Sequence, residues 1–116
     1  MLKNMDCIFC KIVAGAIPSK KLYEDELTYA FADIHAKAPV HALVVPKKHI
    51  ESLAETGEAD KALLGHMLAV TATLAQTLGL KDGYRVVSNI GPDGGQTVSH
   101  LHFHLMGGRA MHWPPG

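Results

Sequence analysis

The chain carries no excess charge of either sign. Its 116 residues include 11 lysines and arginines and 11 aspartates and glutamates, a formal net charge of +0 when the 8 histidines are neutral. Proteins that bind nucleic acid through its phosphate backbone present a basic face, and this composition supplies no surplus of positive charge for one. We therefore expect a small-molecule ligand and no nucleic-acid partner.

Long apolar runs are also missing. No stretch of the sequence approaches the roughly 20 consecutive apolar residues that a helix needs to cross a bilayer. The first six residues, MLKNMD, lack the apolar core of a signal peptide. These absences predict a cytoplasmic protein that has no membrane partner.

Cysteine is scarce, with 2 residues in the whole chain, and both fall in one Cys7-x-x-Cys10 segment. A reducing compartment keeps thiols free. The short spacing therefore indicates metal binding or redox chemistry before it indicates a structural disulfide.

The pattern of apolar residues predicts an α+β fold. With 116 residues the chain can bury one core, and we treat residues 1–116 as a single domain. Apolar residues three and four positions apart after Asp60 predict one long helix that ends at Gly79. A short helix is expected near residues 8–16, and strands are expected at residues 22–25, 27–33, 42–46, 84–89 and 100–106. Five strands with short connections favour an antiparallel meander sheet that carries its helices on one face.

The most informative segment is His100-Leu101-His102-Phe103-His104-Leu105-Met106, where histidines alternate with apolar residues. A two-residue period predicts a strand with three solvent-facing imidazoles and an apolar face in the core. Two strand residues advance about 6.6 Å, so His100 and His104 lie about 13 Å apart, too far for all three rings to bind one ion. The three rings are therefore expected to have separate roles. A polar surface strand, or a metal site using two of the rings, stays open at this point.

A glycine-rich loop, Gly91-Pro92-Asp93-Gly94-Gly95-Gln96-Thr97, precedes the histidine segment. Its glycines allow backbone N–H groups to approach an anion, and the side chains of Asn89, Gln96, Thr97 and Ser99 add neutral donors. Alone, such a cluster is most often a turn, and it does not match the phosphate loops that precede helices. Combined with the histidines, it predicts a phosphate site without lysine.

The histidine segment resembles the His-φ-His-φ-His-φ-φ signature, with φ apolar, of the histidine triad (HIT) nucleotide-binding family. Residues 6–12, 38–49 and 111–116 also resemble its Hint branch, in the form of a bacterial-type member with a Cys-x-x-Cys. That branch hydrolyses nucleoside phosphoramidates. The resemblance implies a HIT-like fold and a homodimer whose sheet extends across both subunits. It also implies a C-terminal tail that brings Trp113 to the pocket of the partner subunit.

The resemblance further implies residue roles. In that branch the middle histidine attacks the α-phosphorus, which makes His102 the nucleophile and places His104 against the phosphate. A histidine at position 104 also favours hydrolysis over nucleotidyl transfer. The catalytic group is completed by His100 and His41. The nucleotide is expected to contact Asp33, Ile34, Asn89, Gly95, Gln96, Thr97, His102, His104 and Trp113.

The two cysteines are not universal in the family. A closed Cys2His2 zinc site needs two ligands besides Cys7 and Cys10, and His49 and His100 are the candidates. Such a site would be structural and would orient the backbone beside His102. The alternative is a pair of partly buried thiols without an ion.

The leading hypothesis is a purine nucleoside phosphoramidase that acts on adenosine 5′-phosphoramidates and aminoacyl adenylates and releases AMP. It would proceed through a covalent nucleotidyl-histidine and would need no metal for catalysis. The purine preference rests on the resemblance. Two alternatives stay open: a dinucleoside polyphosphate hydrolase, against which the tail with Trp113 argues, and a non-catalytic nucleotide-binding or interaction module.

Overall fold

The computed structural model describes residues 6–116. It contains two α-helices and five strands over that range: α1 (Ile8–Val13), β1 (Lys21–Glu24), β2 (Thr28–Ala32), β3 (Val40–Pro46), α2 (Lys61–Thr77), β4 (Tyr84–Val87) and β5 (Phe103–Gly107). Two short 3-10 turns, Leu53–Glu55 and Glu58–Asp60, connect β3 to α2. Neither α-helix in this range has the length and apolar character needed to cross a membrane.

The five strands form one antiparallel sheet, which confirms the predicted α+β class. The strand order is β1-β2-β3-β5-β4. The order departs from a simple meander because β5 lies between β3 and β4, paired with both. The interior position of β5 places His104 directly opposite Leu43 of β3.

Side chains alternate across the sheet and divide the core into two clusters. On one face, Phe103 and Leu105 pack with Met67 and Leu74 of α2. On the other face, a smaller cluster joins Leu43 and other strand residues to α1; its buried members are Phe9, Ile12, Tyr29, Phe31, Leu43 and Val45. Because residues two apart in a strand share a face, His41 of β3 lies on the α1 face with Leu43.

The histidine segment differs from its prediction in one respect. Leu101, Phe103 and Leu105 enter the core as expected. The strand, however, begins only at Phe103. The preceding residues leave the sheet because the Leu101 N–H bonds the Ile50 carbonyl at 2.6 Å, in the segment after β3. The prediction of three solvent-facing rings on one strand is therefore wrong: His100 is 0% exposed and His102 is 5% exposed.

The helix boundaries follow the sequence signals with two changes. α1 ends at Val13, earlier than the predicted residue 16. α2 begins after Asp60 and is followed by Gly79 at φ +77, the left-handed position at which a glycine ends a helix. The Asp60 carboxylate does not cap α2: it accepts hydrogen bonds at 3.0 Å from the Gly57 N–H and from Lys48 Nζ.

Candidate active site and metal centre

The tautomer of His102 is set by one short hydrogen bond. Its Nδ1 lies 2.6 Å from the backbone carbonyl oxygen of His100. A carbonyl oxygen only accepts, so Nδ1 carries the proton and Nε2 presents an unshared electron pair. Burial lowers the pKa of His102 below its ordinary value, although the carbonyl contact and Asp33 oppose the shift. The ring is therefore neutral near pH 7 and has the electronic form of a nucleophile.

Two rings enclose His102. The Phe9 ring meets it edge to face, with centroids 5.1 Å apart and planes at 88°. The His104 ring lies at 5.0 Å and 72°. These contacts account for the near-complete burial of His102 and limit the orientations that its ring can adopt.

A hydrogen-bond relay sets the opposite tautomer in His104. The Lys37 N–H donates to His41 Nδ1 at 2.9 Å, so a neutral His41 carries its proton on Nε2. This Nε2 lies 2.9 Å from His104 Nδ1 and 3.3 Å from an oxygen of Asp33. His104 accepts at Nδ1 and therefore carries its own proton on Nε2. Burial, followed by the neighbouring His102 and His41, lowers the pKa of His104 to about 4.

Burial also lowers the pKa of His41, against the opposing effect of Asp33. The site thus combines an electron pair on His102 with an N–H donor on the adjacent His104. A nucleophile beside a fixed donor is the arrangement that acyl and phosphoryl transfer require. Asp33, His41 and His104 could also hold an ion by distance alone. The Lys37 N–H occupies one nitrogen of His41, and the protonated Nε2 points into the group, so we interpret this trio as a relay.

The second cluster brings together all four predicted metal ligands. The ligand atoms of Cys7, Cys10, His49 and His100 all lie within 4.8 Å of one another. Cys7 Sγ lies 3.2 Å from His100 Nδ1, and Cys10 Sγ lies 3.3 Å from His49 Nδ1. Ligand atoms on a tetrahedron around zinc, with bonds of about 2.0–2.3 Å, lie roughly 3.3–3.8 Å apart. The four atoms therefore fit a tetrahedral ion after small side-chain adjustments.

The chemistry of the donor set also fits zinc. His100 Nε2 donates to the Pro46 carbonyl at 2.9 Å, which leaves the Nδ1 electron pair facing the cluster. Burial lowers the pKa of His100 to about 4, so the ring is neutral and able to ligate. In the absence of an ion, burial and the adjacent Cys7 raise the pKa of Cys10 to about 11. A bound cation supplies the compensating charge that converts such a thiol to thiolate.

The glycine-rich loop is braced by the residues predicted to bind phosphate. Asn89 Nδ2 donates to the Gly94 carbonyl at 2.6 Å, and a Cβ at Gly94 would fall on the Ile90 carbonyl, which requires glycine there. The Gln96 amide accepts from the Gly91 N–H at 3.0 Å and donates to the Glu51 carbonyl at 2.7 Å.

Gly95 adopts φ +78 in the same loop. Within residues 6–116, the backbone N–H groups of Thr97 and Val98 donate to no protein acceptor. Backbone hydrogen bonds from the Gly95 N–H to the Pro92 carbonyl and from the Gln96 N–H to the Gly91 carbonyl, both 3.1 Å, hold the shape of the loop together with the side chains that brace it.

Two predicted nucleotide contacts are largely exposed. Ile34 is 89% exposed and Trp113 is 81% exposed. The tail that carries Trp113 is attached through Arg85, whose Nη2 donates to the His112 carbonyl at 2.7 Å. Two contacts of the site were not predicted from the sequence: the Phe9 ring against His102, and the Lys37 N–H that donates to His41. Phe9 has a local signal, an apolar residue between two metal-spaced cysteines, but nothing local indicates which ring it meets.

Comparison with known proteins agrees with this architecture. The HIT domain profile matches residues 14–111. An uncharacterised HIT-like protein of Synechococcus elongatus is 52% identical over 111 residues, which cover 96% of this chain and 97% of that protein.

Solved structures extend the likeness to three dimensions. A HIT family hydrolase from Legionella pneumophila is 47% identical with a TM-score of 0.94, over 96% of this chain and 100% of that chain. A histidine triad nucleotide-binding protein from Candida albicans is 38% identical with a TM-score of 0.80, over 94% and 83% of the two chains. The match to the HIT domain profile and the similarity to these relatives show that this chain belongs to the HIT domain family. Within that family it is a member that carries a Cys-x-x-Cys, at Cys7 and Cys10.

Proposed function

We propose that this protein is a purine nucleoside phosphoramidase that hydrolyses the P–N bond of adenosine 5′-phosphoramidates and also acts on aminoacyl adenylates. The observation that carries the proposal is the pair of opposite tautomers, an electron pair on His102 Nε2 beside an N–H on His104. The name of the Legionella relative, a HIT family hydrolase, supports the reaction class.

In the first step, His102 Nε2 attacks the α-phosphorus and a nitrogen–phosphorus bond forms. The bond from phosphorus to the leaving amine breaks, and the amine departs with a proton taken up in or before this step. The nucleotidyl-imidazole carries positive charge, which the His100 carbonyl stabilises because it accepts the Nδ1 proton at 2.6 Å. Water then attacks phosphorus, the bond to His102 Nε2 breaks with its electron pair returning to that nitrogen, and AMP and a proton are released.

Negative charge develops on the phosphoryl oxygens in both steps. His104 Nε2–H and the N–H groups of the loop, at Thr97 and Val98, are the proposed donors. Preorganised donors of this kind are typically worth about 2.7–4 kcal/mol each to the transition state. The proposal gives Asn89, Gly95 and Gln96 the task of holding the loop in the donor geometry. No step requires a metal ion.

The nucleoside would lie over Asp33 and Ile34. An exposed apolar side chain such as Ile34 becomes buried when a purine stacks on it. We propose that a homodimer, with a sheet continuous across both subunits, covers the pocket with Trp113 of the second copy. The cytoplasm is the proposed setting, as the sequence predicts.

Zinc at Cys7, Cys10, His49 and His100 is the proposed structural group. When bound, it supplies a fixed crosslink between α1, the segment after β3 and the start of the histidine segment. The chain's own residues perform the chemistry.

Steady-state kinetics separate the two enzyme hypotheses. We expect kcat/KM to be orders of magnitude higher for adenosine 5′-phosphoramidate than for diadenosine tetraphosphate. The reverse order would favour the dinucleoside polyphosphate hydrolase.

The variant His102→Ala separates an enzyme from a binding module. We expect it to lose at least about 10⁴-fold in kcat, because it lacks the nucleophile. His66→Ala, on α2, is the matched control and is expected to keep its activity. Full turnover by His102→Ala would contradict the proposal, and comparable inactivity of the unaltered protein would favour the binding module.

A further inference from the structure

Phe9 connects the segment of the two cysteines to the apolar core. It lies in α1 between the two cysteines of the metal cluster, and its side chain is 6% exposed. Its ring contacts Phe31 at 5.5 Å and 74°, within the apolar cluster on this face of the sheet. One residue thus belongs to the metal-binding segment and to the core beneath the active site.

The same ring also contacts two histidines. Phe9 meets His102 at 5.1 Å with planes at 88°, and meets His100 at 5.8 Å and 67°. The hydrogen bond from His102 Nδ1 fixes one edge of the imidazole but leaves the ring free to tilt about the line of that bond. An apolar wall across the ring prevents this tilt and prevents water from competing for the His100 carbonyl. Because attack needs alignment with phosphorus, the wall bears on the rate of reaction.

Local propensity does not hold α1 in place. The helix has six residues, fewer than an isolated helix needs to be stable in water. It is held by its buried residues, Phe9 and Ile12, and by the cysteines at positions 7 and 10. The Cys10 N–H also donates to Cys7 Sγ at 3.4 Å, which ties the first turn to the cluster. Any interaction that holds the four cluster side chains in position therefore also holds Phe9 in position.

We propose that Phe9 is a positioning residue for His102 and that the Cys7–Cys10–His49–His100 cluster acts on the nucleophile through it. The kinetic part of this inference rests on the proposed function, whereas the structural part does not. The cluster then has two routes to His102: the backbone of His100, which accepts the Nδ1 proton, and the ring of Phe9, which confines the imidazole.

The first test compares two identical changes on opposite faces of the sheet. Phe9→Leu removes the ring that contacts His102, while Phe103→Leu removes a buried ring from the α2 face. We expect ¹⁵N spectra of the zinc-loaded Phe9→Leu protein at pH 8 to show His102 in mixed tautomers. The unaltered protein and Phe103→Leu should show a single Nδ1–H form. We expect kcat at saturating phosphoramidate to fall at least tenfold in Phe9→Leu and less than threefold in Phe103→Leu.

Phe9→Met provides a second variant that keeps apolar volume without a ring, in case Phe9→Leu folds poorly. A single Nδ1–H tautomer and unchanged kcat in either folded Phe9 variant would overturn the inference. The spectra require no substrate. If the unaltered protein turned over no phosphoramidate, the proposed function would fail while the effect of Phe9 on the tautomer could still be observed.

A double-mutant cycle tests the link to the cluster. Cys10→Ser removes one ligand atom, and we expect it to broaden the His102 tautomer signal. If the cluster acts partly through Phe9, the double variant Phe9→Leu/Cys10→Ser should lose less of the Nδ1–H form than the sum of the losses in the two single variants, because only the route through the His100 backbone remains in Phe9→Leu. Losses that add in full would show that the cluster reaches His102 independently of Phe9 and would overturn this part of the inference.

Discussion

His100 and His102 are joined by a single hydrogen bond that links two centres. The backbone carbonyl of His100 accepts the His102 Nδ1 proton at 2.6 Å, while the side chain of His100 lies among the cysteines, with Nδ1 3.2 Å from Cys7 Sγ. One residue therefore contacts the proposed nucleophile through its backbone and the proposed metal cluster through its ring.

The relay from His41 to His104 should affect rate more than fold. His41→Ala removes the Nε2–H that bonds His104 Nδ1 at 2.9 Å, so the His104 tautomer is no longer fixed. We expect kcat to fall about 10–100-fold, less than in His102→Ala, because the nucleophile itself remains. The measurement is steady-state turnover together with the ¹⁵N shifts of His104. His35→Ala, an exposed neighbour, is the control; a His41→Ala protein with the activity of that control would exclude the relay.

The buried histidines predict how stability depends on pH. Burial first, and then the neighbouring His102 and His41, lower the pKa of His104 from 6.5 to about 4. Between these values the unfolded state binds more protons than the folded state, so acid favours unfolding. The contribution of His104 is fully present above about pH 6.5 and is lost as pH falls towards 4, a change of about 1–3 kcal/mol.

Urea unfolding between pH 8 and pH 4 measures this dependence. We expect a flat free energy of unfolding above pH 7 and a decline below it. The His104→Gln variant should show a shallower decline, and His112→Gln, in the exposed tail, should reproduce the profile of the unaltered protein. Identical slopes in all three proteins would contradict the assignment.

Zinc should bind with a stoichiometry of one. Protein purified without chelator is expected to contain about one equivalent by mass spectrometry, because four ligand atoms lie within 4.8 Å of one another. Removal of the ion with a chelator should lower Tm by several degrees, since the crosslink to α1 is lost. Cys10→Ser should bind zinc weakly. Less than about a tenth of an equivalent in the unaltered protein would favour the pair of thiols without an ion.

Asp25 should stabilise the fold without contributing to catalysis. Burial raises the pKa of its carboxyl group, but hydrogen bonds from Tyr23, Thr28 and the backbone outweigh burial and hold that pKa well below its usual range. His66 Nε2 on α2 lies 2.7 Å from the same carboxylate. Asp25→Asn loses charge-assisted bonds, and we expect a cost of about 1–3 kcal/mol in free energy of unfolding.

The control for Asp25→Asn is Glu26→Gln, a charge removal at the adjacent exposed position. Denaturant unfolding should separate the two variants, and both should keep the kcat of the unaltered protein. A large loss of kcat in fully folded Asp25→Asn protein would contradict this prediction and would indicate that Asp25 contributes to catalysis.

The sequence predicted most elements because their signals are local. The spacing of apolar residues located α2. Gly79 predicted the end of the helix because glycine readily adopts the left-handed conformation that the structure shows there. The structure also groups the four residues that were predicted as candidate zinc ligands, a prediction that began from the close spacing of the two cysteines. The strand order was harder, because the position of β5 between β3 and β4 depends on pairing between distant segments, which local patterns do not report.

The burial of His100 and His102 was missed for a related reason. An alternating pattern indicates a strand exposed on one face, and nothing in the segment shows that α1 covers that face. Likewise, the Lys37 N–H that sets the His41 tautomer is a backbone group, which has no side-chain signature. The sequence thus located the histidines of the candidate site, whereas the contacts that set their tautomers became visible only in the fold.

The central claim is that His102 bonds covalently to phosphorus. Acid quenching during turnover of adenosine 5′-phosphoramidate, followed by proteolysis and mass spectrometry, tests it directly. The account predicts a mass increase of one adenylyl group on the peptide that contains His102, and its absence in His102→Ala. An adenylyl group on another residue, or turnover with no protein-bound nucleotide at any quench time, would contradict it.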